Sequence, residues 1–306
     1  MEYKIEKMSR NEIKEKLPQL LEIPDPPRAL YMVGQLPDAH IYVSVVGSRR
    51  YTDYGRQCCR ELILGLRGKP VAIVSGLAYG IDEIAHRAAI DAGLPTIAFP
   101  GSGLDPSALY PRGHTQLAEE ILYHGGCLLS EYDPLEKAAP WTFPQRNRLM
   151  SGIAKAVLII EAEEKSGSLI TARLATEYNR DVLTVPGSIF SSASAGTNFL
   201  LRQGATPITC ANDLLQALGL LEENKMLPFG NTEKNTDNEP STRTDISPEE
   251  LEILNLLTNS PLSRDEIATH LNRKIHEIST TISILEIKGL IEEKFGQMWI
   301  STNSTK

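Results

Sequence analysis

A mostly parallel α/β sheet with flanking helices, followed by a small domain of three helices and a hairpin, is the fold class this sequence predicts. Three observations carry it. From Ile41 onward, apolar β-rich runs ending in Gly or Ser alternate with stretches of helical periodicity. Those runs are continuously apolar, as strands buried on both faces are, which points to a parallel sheet sandwiched between helices. Beyond a polar stretch after Leu221, two helix-capping boxes and a Gly-terminated helix lead into a hairpin pattern.

The strands read as IYVSVVGS from Ile41, VAIVSG from Val71, TIAFPG from Thr96, GCLLSE from Gly126, AVLIIEA from Ala156 and DVLTVPG from Asp181. Between them, TDYGRQCCRELILGL and GIDEIAHRAAIDAG have helical spacing, and a further helix follows AVLIIEA. This is a Rossmann-like pattern. Ligands of such sheets bind beyond the carboxyl ends of the strands. The turns Gly47-Ser48-Arg49, Ser75-Gly76, Pro100-Gly101-Ser102-Gly103, Ser130-Glu131 and Pro186-Gly187 all follow directly on a strand, so they are expected to converge around one cleft.

The domain boundaries follow from the same reading. Residues 1–16 are expected to form a short leader, 17–221 the Rossmann-like domain and 222–243 a flexible linker, polar and without apolar periodicity. In 244–306, Ser247 with Glu250 and Pro248 opens one helix, and Ser263 with Glu266 opens a second. The third places Ile275, Ile278, Ile282 and Leu285 on one face and stops at Gly289; a hairpin turning at Gly296 follows. That arrangement is a winged helix-turn-helix module.

With 306 residues, 41% of them hydrophobic, the chain can bury a sizeable core and has room for about two domains. The charged N-terminus lacks a signal-peptide core, and no run approaches the ~18 apolar residues of a membrane helix, so a soluble, cytoplasmic protein without membrane attachment is expected. Cys58, Cys59, Cys127 and Cys210 form no CxxC pair and have no histidine at zinc-finger spacing, and are read as structural thiols. A net charge of −8 excludes a uniformly basic nucleic-acid binder. Residues 41–212 hold 16 basic and 16 acidic side chains, however, so a local basic pocket is compatible with the composition.

The segment from Phe143 to Asn198 is the richest in chemistry. In FPQRNRLMSG, Arg146 and Arg148 flank Asn147 and are expected to grip a phosphate together, with Phe143 offering a face for a base. In KSGSLITARLA, Lys165, Ser166, Gly167 and Ser168 precede a helix whose N-terminal N–H groups suit an anion. It is not GxxxxGK[ST], so hydrolysis of a nucleoside triphosphate is not implied. Gly196, Thr197 and Asn198 read as another Gly- and Ser-rich turn. Upstream, Gly47, Ser48 and Arg49 offer a tight turn, a hydroxyl and a guanidinium at the sheet edge, without the GxGxxG fingerprint of a dinucleotide. Asp82 and His86 lie one helical turn apart but lack a third metal ligand; Asp82 reads as a first-turn residue. No catalytic set, metal site or cofactor motif emerges. Binding is therefore the leading class.

In family order, GSR, SGLAYGID, AFPGSGLD, YP, SEY, FPQRNRLMSG, SGSLITA, VPG and GTN resemble the DprA (Smf) family of bacterial DNA-processing proteins, over about Leu17 to Leu221. The resemblance implies a non-enzymatic, homodimeric protein of natural transformation that binds and protects single-stranded DNA and helps load the RecA recombinase. It implies phosphate contacts at Gly47, Ser48 and Arg49, at Arg146 and Arg148, and along Lys165 to Ser168, with Ser75, Gly76 and Asn147 around them and Phe143 as a base platform. The C-terminal module departs from a duplex reader: 6 basic residues face 10 acidic ones over 244–306, and Glu277 and Glu286 lie in its third helix. A protein-contact role is favoured there. The alternative to DNA binding is a phosphoribohydrolase-like enzyme, which would need a glutamate where this chain has Leu200. A transcription regulator would need a basic third helix.

Overall fold

The computed structural model describes residues 4–39, 41–221, 247–259, 262–271, 273–294 and 297–300. Two compact units divide the chain, Met1–Leu227 and Pro228–Lys306.

The larger unit is built on nine strands: β1 (Glu6–Ser9), β2 (Ala29–Gly34), β3 (Ile41–Val46), β4 (Val71–Ser75), β5 (Thr96–Ala98), β6 (Cys127–Ser130), β7 (Ala156–Ile159), β8 (Asp181–Thr184) and β9 (Thr206–Pro207). Their helices are α1 (Arg10–Lys16), α2 (Asp53–Leu64), α3 (Ile81–Asp91), α4 (Thr115–Tyr123), α5 (Thr142–Ile153), α6 (Gly167–Glu177), α7 (Ala195–Arg202) and α8 (Ala211–Ala217). The strand order is β1-β2-β6-β5-β4-β3-β7-β8-β9. From β6 to β9 every pairing is parallel, and β1–β2 and β2–β6 are antiparallel.

Period-two alternation splits the residues of the central strands β3 and β7 between two cores. Tyr42 and Val46 join Val157, Ile159, Leu149 and Ile153 on the face covered by α5 and α6. Val43 and Val45 join Leu158, Ile63, Ile81 and Leu214 on the face covered by α2, α3 and α8. Both faces are thus dry, as the unbroken apolar runs predict. Cys59 and Cys127 are buried in these cores, and burial pushes both thiols above their ordinary range.

Chain order reverses at one place. Starting at β3, the strands step outward through β4 and β5 to β6, and the chain then crosses back through α5 to place β7 on the other side of β3. The carboxyl ends of β3 and β7 are therefore the topological switch point, where open α/β sheets bind their ligands.

Residues 1–16, expected as a leader, instead carry an edge strand and a helix. β1 pairs with β2, and Met8 and Ile13 are buried in the first core. A capping box, Ser9 with Glu12, starts α1. Gly196, Thr197 and Asn198, expected in a turn, lie inside α7. The linker expected over 222–243 lies outside the described residues. No helix among the described residues is long and apolar enough to cross a membrane.

The smaller unit contains α9 (Pro248–Asn259), α10 (Arg264–Leu271), α11 (Ile275–Ile287) and an antiparallel pair, β10 (Ile291–Lys294) and β11 (Gln297–Ile300). Both predicted capping boxes are formed: Ser247 N–H donates to Glu250 and Ser263 N–H to Glu266, and each serine Oγ accepts in return. Ile278, Ile282 and Leu285 are buried as predicted, whereas Ile275 at the first position of α11 is exposed. The hairpin turn expected at Gly296 lies outside the described residues.

Candidate nucleic-acid interface

A cleft of ≈ 380 Å³ opens at the β3/β7 switch point. The β3–α2 turn supplies Gly47, Ser48, Arg49 and Arg50, α5 supplies Phe143, Arg146 and Asn147, the β7–α6 loop supplies Glu163, Lys165 and Ser166, and the first turn of α6 supplies Gly167 and Ser168. Ten of the thirteen residues singled out in the sequence thus line one cavity: Gly47, Ser48, Arg49, Phe143, Arg146, Asn147, Lys165, Ser166, Gly167 and Ser168.

Hydrogen bonds lock the turns together. Arg50 N–H donates to the Ser48 hydroxyl, which donates to the Arg50 carbonyl, so this hydroxyl serves the turn itself. Ile81 N–H donates to the Ser48 carbonyl. A β-carbon at Gly47 would meet the Ile81 side chain, so the close approach of this turn to α3 requires glycine. From beneath, Glu161, buried at the end of β7, accepts from the Thr52 N–H at 2.9 Å and the Thr52 hydroxyl at 2.5 Å. That carboxylate ties the arginine-bearing turn to the strand that feeds the Lys165 loop. Across the cleft, Ser166 caps α6 by accepting from Ser168 N–H at 3.3 Å. Gly167 at the helix start faces open space, leaving the positive end of the helix dipole accessible.

Arg146 is the electrostatic centre. It is 5% exposed, donates through Nη1 to the Met150 sulfur at 3.0 Å, and keeps its Nε without a hydrogen-bond partner among the described residues. Burial pulls its pKa below the ordinary guanidinium value, and the Asp82 carboxylate opposes that pull. Burial raises the Asp82 carboxyl, against the pull of Arg146 and of two peptide N–H groups, Gly76 at 3.1 Å and Ala78 at 3.4 Å. Each group is thus shifted toward its neutral form: their mutual attraction does not cover the desolvation of both. An anion entering the cleft would supply the acceptors Arg146 lacks.

Arg49 is exposed, with its guanidinium 5.4 Å from the centre of the Phe143 ring. That ring is half-buried, packs edge-on against Tyr110 at 5.8 Å, and occupies the space a β-carbon on Gly101 would need. Arg49, Arg50, Arg146 and Lys165 outnumber the cleft's carboxylates, Asp82 and Glu163.

Three sequence candidates stand elsewhere. Ser75 is fully buried and donates to the Val45 carbonyl. Gly76 lies behind the cleft; a β-carbon there would collide with the Arg146 guanidinium, so its role is to make room. Arg148 points away, pairing with Glu131 and, at 3.2 Å, with Asp25. FPQRNRLMSG is helical, and positions two apart on a helix do not face each other. Sequence reasoning left out Met150 and Glu163 and read Asp82 only as a first-turn residue. An Arg–Met pair at i, i+4 was the available signal for Met150, once α5 is recognised as a helix.

Fold and cleft define a Rossmann-like protein with a basic pocket at its switch point, accompanied by a winged-helix unit. The profile of the DNA recombination-mediator protein A family matches residues 11–219, and that of the DprA winged helix domain matches residues 237–297. Protein Smf of Escherichia coli K12 is 42% identical over 202 residues, 66% of this chain and 54% of that protein. Protein Smf of Synechocystis is 36% identical over 92% of this chain and 77% of its own length. Among solved structures, DNA processing protein A of Streptococcus pneumoniae is 38% identical with a TM-score of 0.63, covering 70% of this chain and 74% of that one. DNA processing protein A of Helicobacter pylori, described for its single-stranded DNA binding mode, is 32% identical with a TM-score of 0.62, covering 71% and 96%. The chain belongs to the DNA recombination-mediator protein A family, also called DprA or Smf. The match to the Escherichia coli protein spans about half of that protein's length.

Proposed function

We propose that this protein binds single-stranded DNA by its sugar-phosphate backbone in the β3/β7 cleft, without base specificity and without cutting it. The observation that carries the reading is the buried Arg146, short of acceptors, with Arg49, Lys165 and the α6 N-terminus around the same cavity. Guanidinium groups and peptide N–H groups suit phosphate geometry and carry no base information. The Helicobacter pylori relative, described for binding single-stranded DNA, supports the same assignment. The Gly167 N–H at the start of α6 completes the cradle, Ser48, Ser166 and Ser168 hold its turns in shape, and Phe143 stacks a base.

Family membership extends the reading: a cytoplasmic homodimer that protects incoming DNA during natural transformation and helps load RecA. The role is one of binding rather than catalysis. The Asp82 carboxylate is engaged by peptide N–H groups, and Leu200, where a phosphoribohydrolase would carry its glutamate, packs against the first core.

The test is a mobility-shift comparison of oligo-dT with a duplex of equal length, joined to RecA's DNA-dependent ATPase on the same oligonucleotide. Tighter binding of oligo-dT and faster RecA assembly in the presence of the protein are expected. Equal affinity for both forms would reject the binding reading, and unchanged RecA kinetics would reject the loading role.

A further inference from the structure

Exposed aromatic side chains gather on one edge of the larger unit. Tyr51, Tyr54, Tyr79, Tyr110 and Phe190 are all exposed. Each belongs to a segment that follows the carboxyl end of a parallel strand: Tyr51 and, in the first turn of α2, Tyr54 after β3, Tyr79 after β4, Tyr110 after β5, Phe190 after β8. Of the other exposed aromatics described in this unit, Trp141 follows β6, outside the β5–β8 span, and packs edge-on against Tyr132, while Tyr123 and Phe199 lie in α4 and α7. A single exposed ring needs no explanation, but five on the edge that holds the cleft do.

Strand order sets their sequence in space. β5-β4-β3-β7-β8 places Tyr110 and Tyr79 on one side of the β3/β7 cleft and Phe190 on the other, with Tyr51 and Tyr54 beside β3. At ~4.8 Å per strand, these five strands span about 19 Å. Three rings are held by an edge or tip while about half of each side chain stays exposed. Tyr79 meets His114 edge-on at 4.5 Å, Tyr110 meets Phe143 edge-on at 5.8 Å, and the Tyr54 hydroxyl donates to the Pro186 carbonyl at 2.7 Å. That last bond joins the β3–α2 segment to the β8–α7 loop that carries Phe190, which is 93% exposed.

We infer that this edge is a base-stacking rail running out of the cleft on both sides. The inference rests on the single-strand reading above. While Arg49, Arg146 and Lys165 hold phosphates, flanking nucleotides lay their bases on Tyr79 and Tyr110 on one side and on Tyr54 and Phe190 on the other. Stacking of this kind tolerates any sequence, because every base has a π-face. Chemically, the occupant is an unpaired strand several nucleotides longer than the cleft, since bases locked in a duplex present no free face.

The experiment is fluorescence anisotropy on the full chain with oligo-dT of about 4 and about 16 nucleotides, the range of site sizes of single-strand grooves. A third probe has the long length but abasic flanks. Phe190→Ala and Tyr79→Ala should weaken the long oligonucleotide roughly 5- to 150-fold and leave the short one unchanged. Phe190→Trp should restore binding, and the abasic flanks should erase the difference between variant and wild type. Wild-type affinity of Phe190→Ala for the long probe, or an equal loss on the abasic one, would overturn the rail. So would a change confined to oligomeric state in light scattering, which would assign Phe190 to a second copy of the chain. Arg146→Ala separates the two claims: if it weakens both lengths while the aromatic variants do not, only the rail fails. Normal binding of the short probe by Arg146→Ala would instead remove the cleft reading on which the rail depends.

Discussion

Arg146 and Arg148 stand two residues apart on α5 and face opposite ways. Arg146 lines the basic cleft, whereas Arg148 is held between Asp25 and Glu131 on the other side of the helix. The two arginines therefore have separable jobs. Arg146→Ala should weaken oligo-dT binding and lower the log-log salt slope by ~0.7, the contribution of one phosphate contact to a single strand. Arg148→Ala should leave that slope unchanged and destabilise the fold by on the order of 3 kcal/mol, the low end for a broken buried pair. Salt titrations and urea melts of both variants check this.

Gly76 touches no ligand in this account, yet its substitution should act on binding. A β-carbon there would collide with the Arg146 guanidinium. Gly76→Ala should therefore cost about tenfold or more in oligo-dT affinity, since hydrogen bonds to charged groups contribute about 1.5–3 kcal/mol. Wild-type affinity in this variant would mean that Arg146 has another route into the cleft.

Much of this architecture was legible in the chain, for physical reasons. Continuous apolar runs such as VAIVSG and AVLIIEA identify strands dry on both faces, and the turns that end them mark the ligand edge. The N-terminal strand and helix were missed because β1 buries only Met8 and α1 only Ile13. Even so, the Ser9–Glu12 capping box is the same signal that correctly located α9 and α10. Arg148 is misplaced because spacing alone groups it with Arg146, without the helix that turns the two apart. Its helix is imposed by packing of Leu149, Met150 and Ile153 into the core, which outweighs a weak local pattern.

Phe143 and Arg49 form a cation–π pair in the cleft. Phe143→Leu removes the π-face while keeping bulk against Gly101, and should lower oligo-dT affinity by about 1–3 kcal/mol. On a backbone-only abasic strand the same variant should match wild type, which isothermal titration can read directly.

His86 gives the larger unit a defined acid sensitivity. Fully buried and bonded through Nδ1 to the Thr96 hydroxyl at 2.7 Å, it is pushed down to about 3 by burial, reinforced by the nearby His114 and Arg146. The ordinary value of 6.5 applies once the chain unfolds. Between those two values the unfolded state binds the extra proton, so stability falls as pH drops through that window, by at most about 1.4 kcal/mol per pH unit from this residue. The slope of unfolding free energy against pH should be shallower in His86→Asn than in wild type. An identical slope would place the acid sensitivity elsewhere.

The central claim is that Arg49, Arg146 and Lys165 act as one phosphate-gripping set, and a salt titration of oligo-dT binding by wild type and by the Arg49→Ala/Arg146→Ala double variant tests it most directly. A wild-type preference for oligo-dT over duplex is expected, with a slope lower by about 1.4 in the double variant, from two phosphate contacts at ~0.7 each. An unchanged slope in the double variant, with affinity intact, would contradict it.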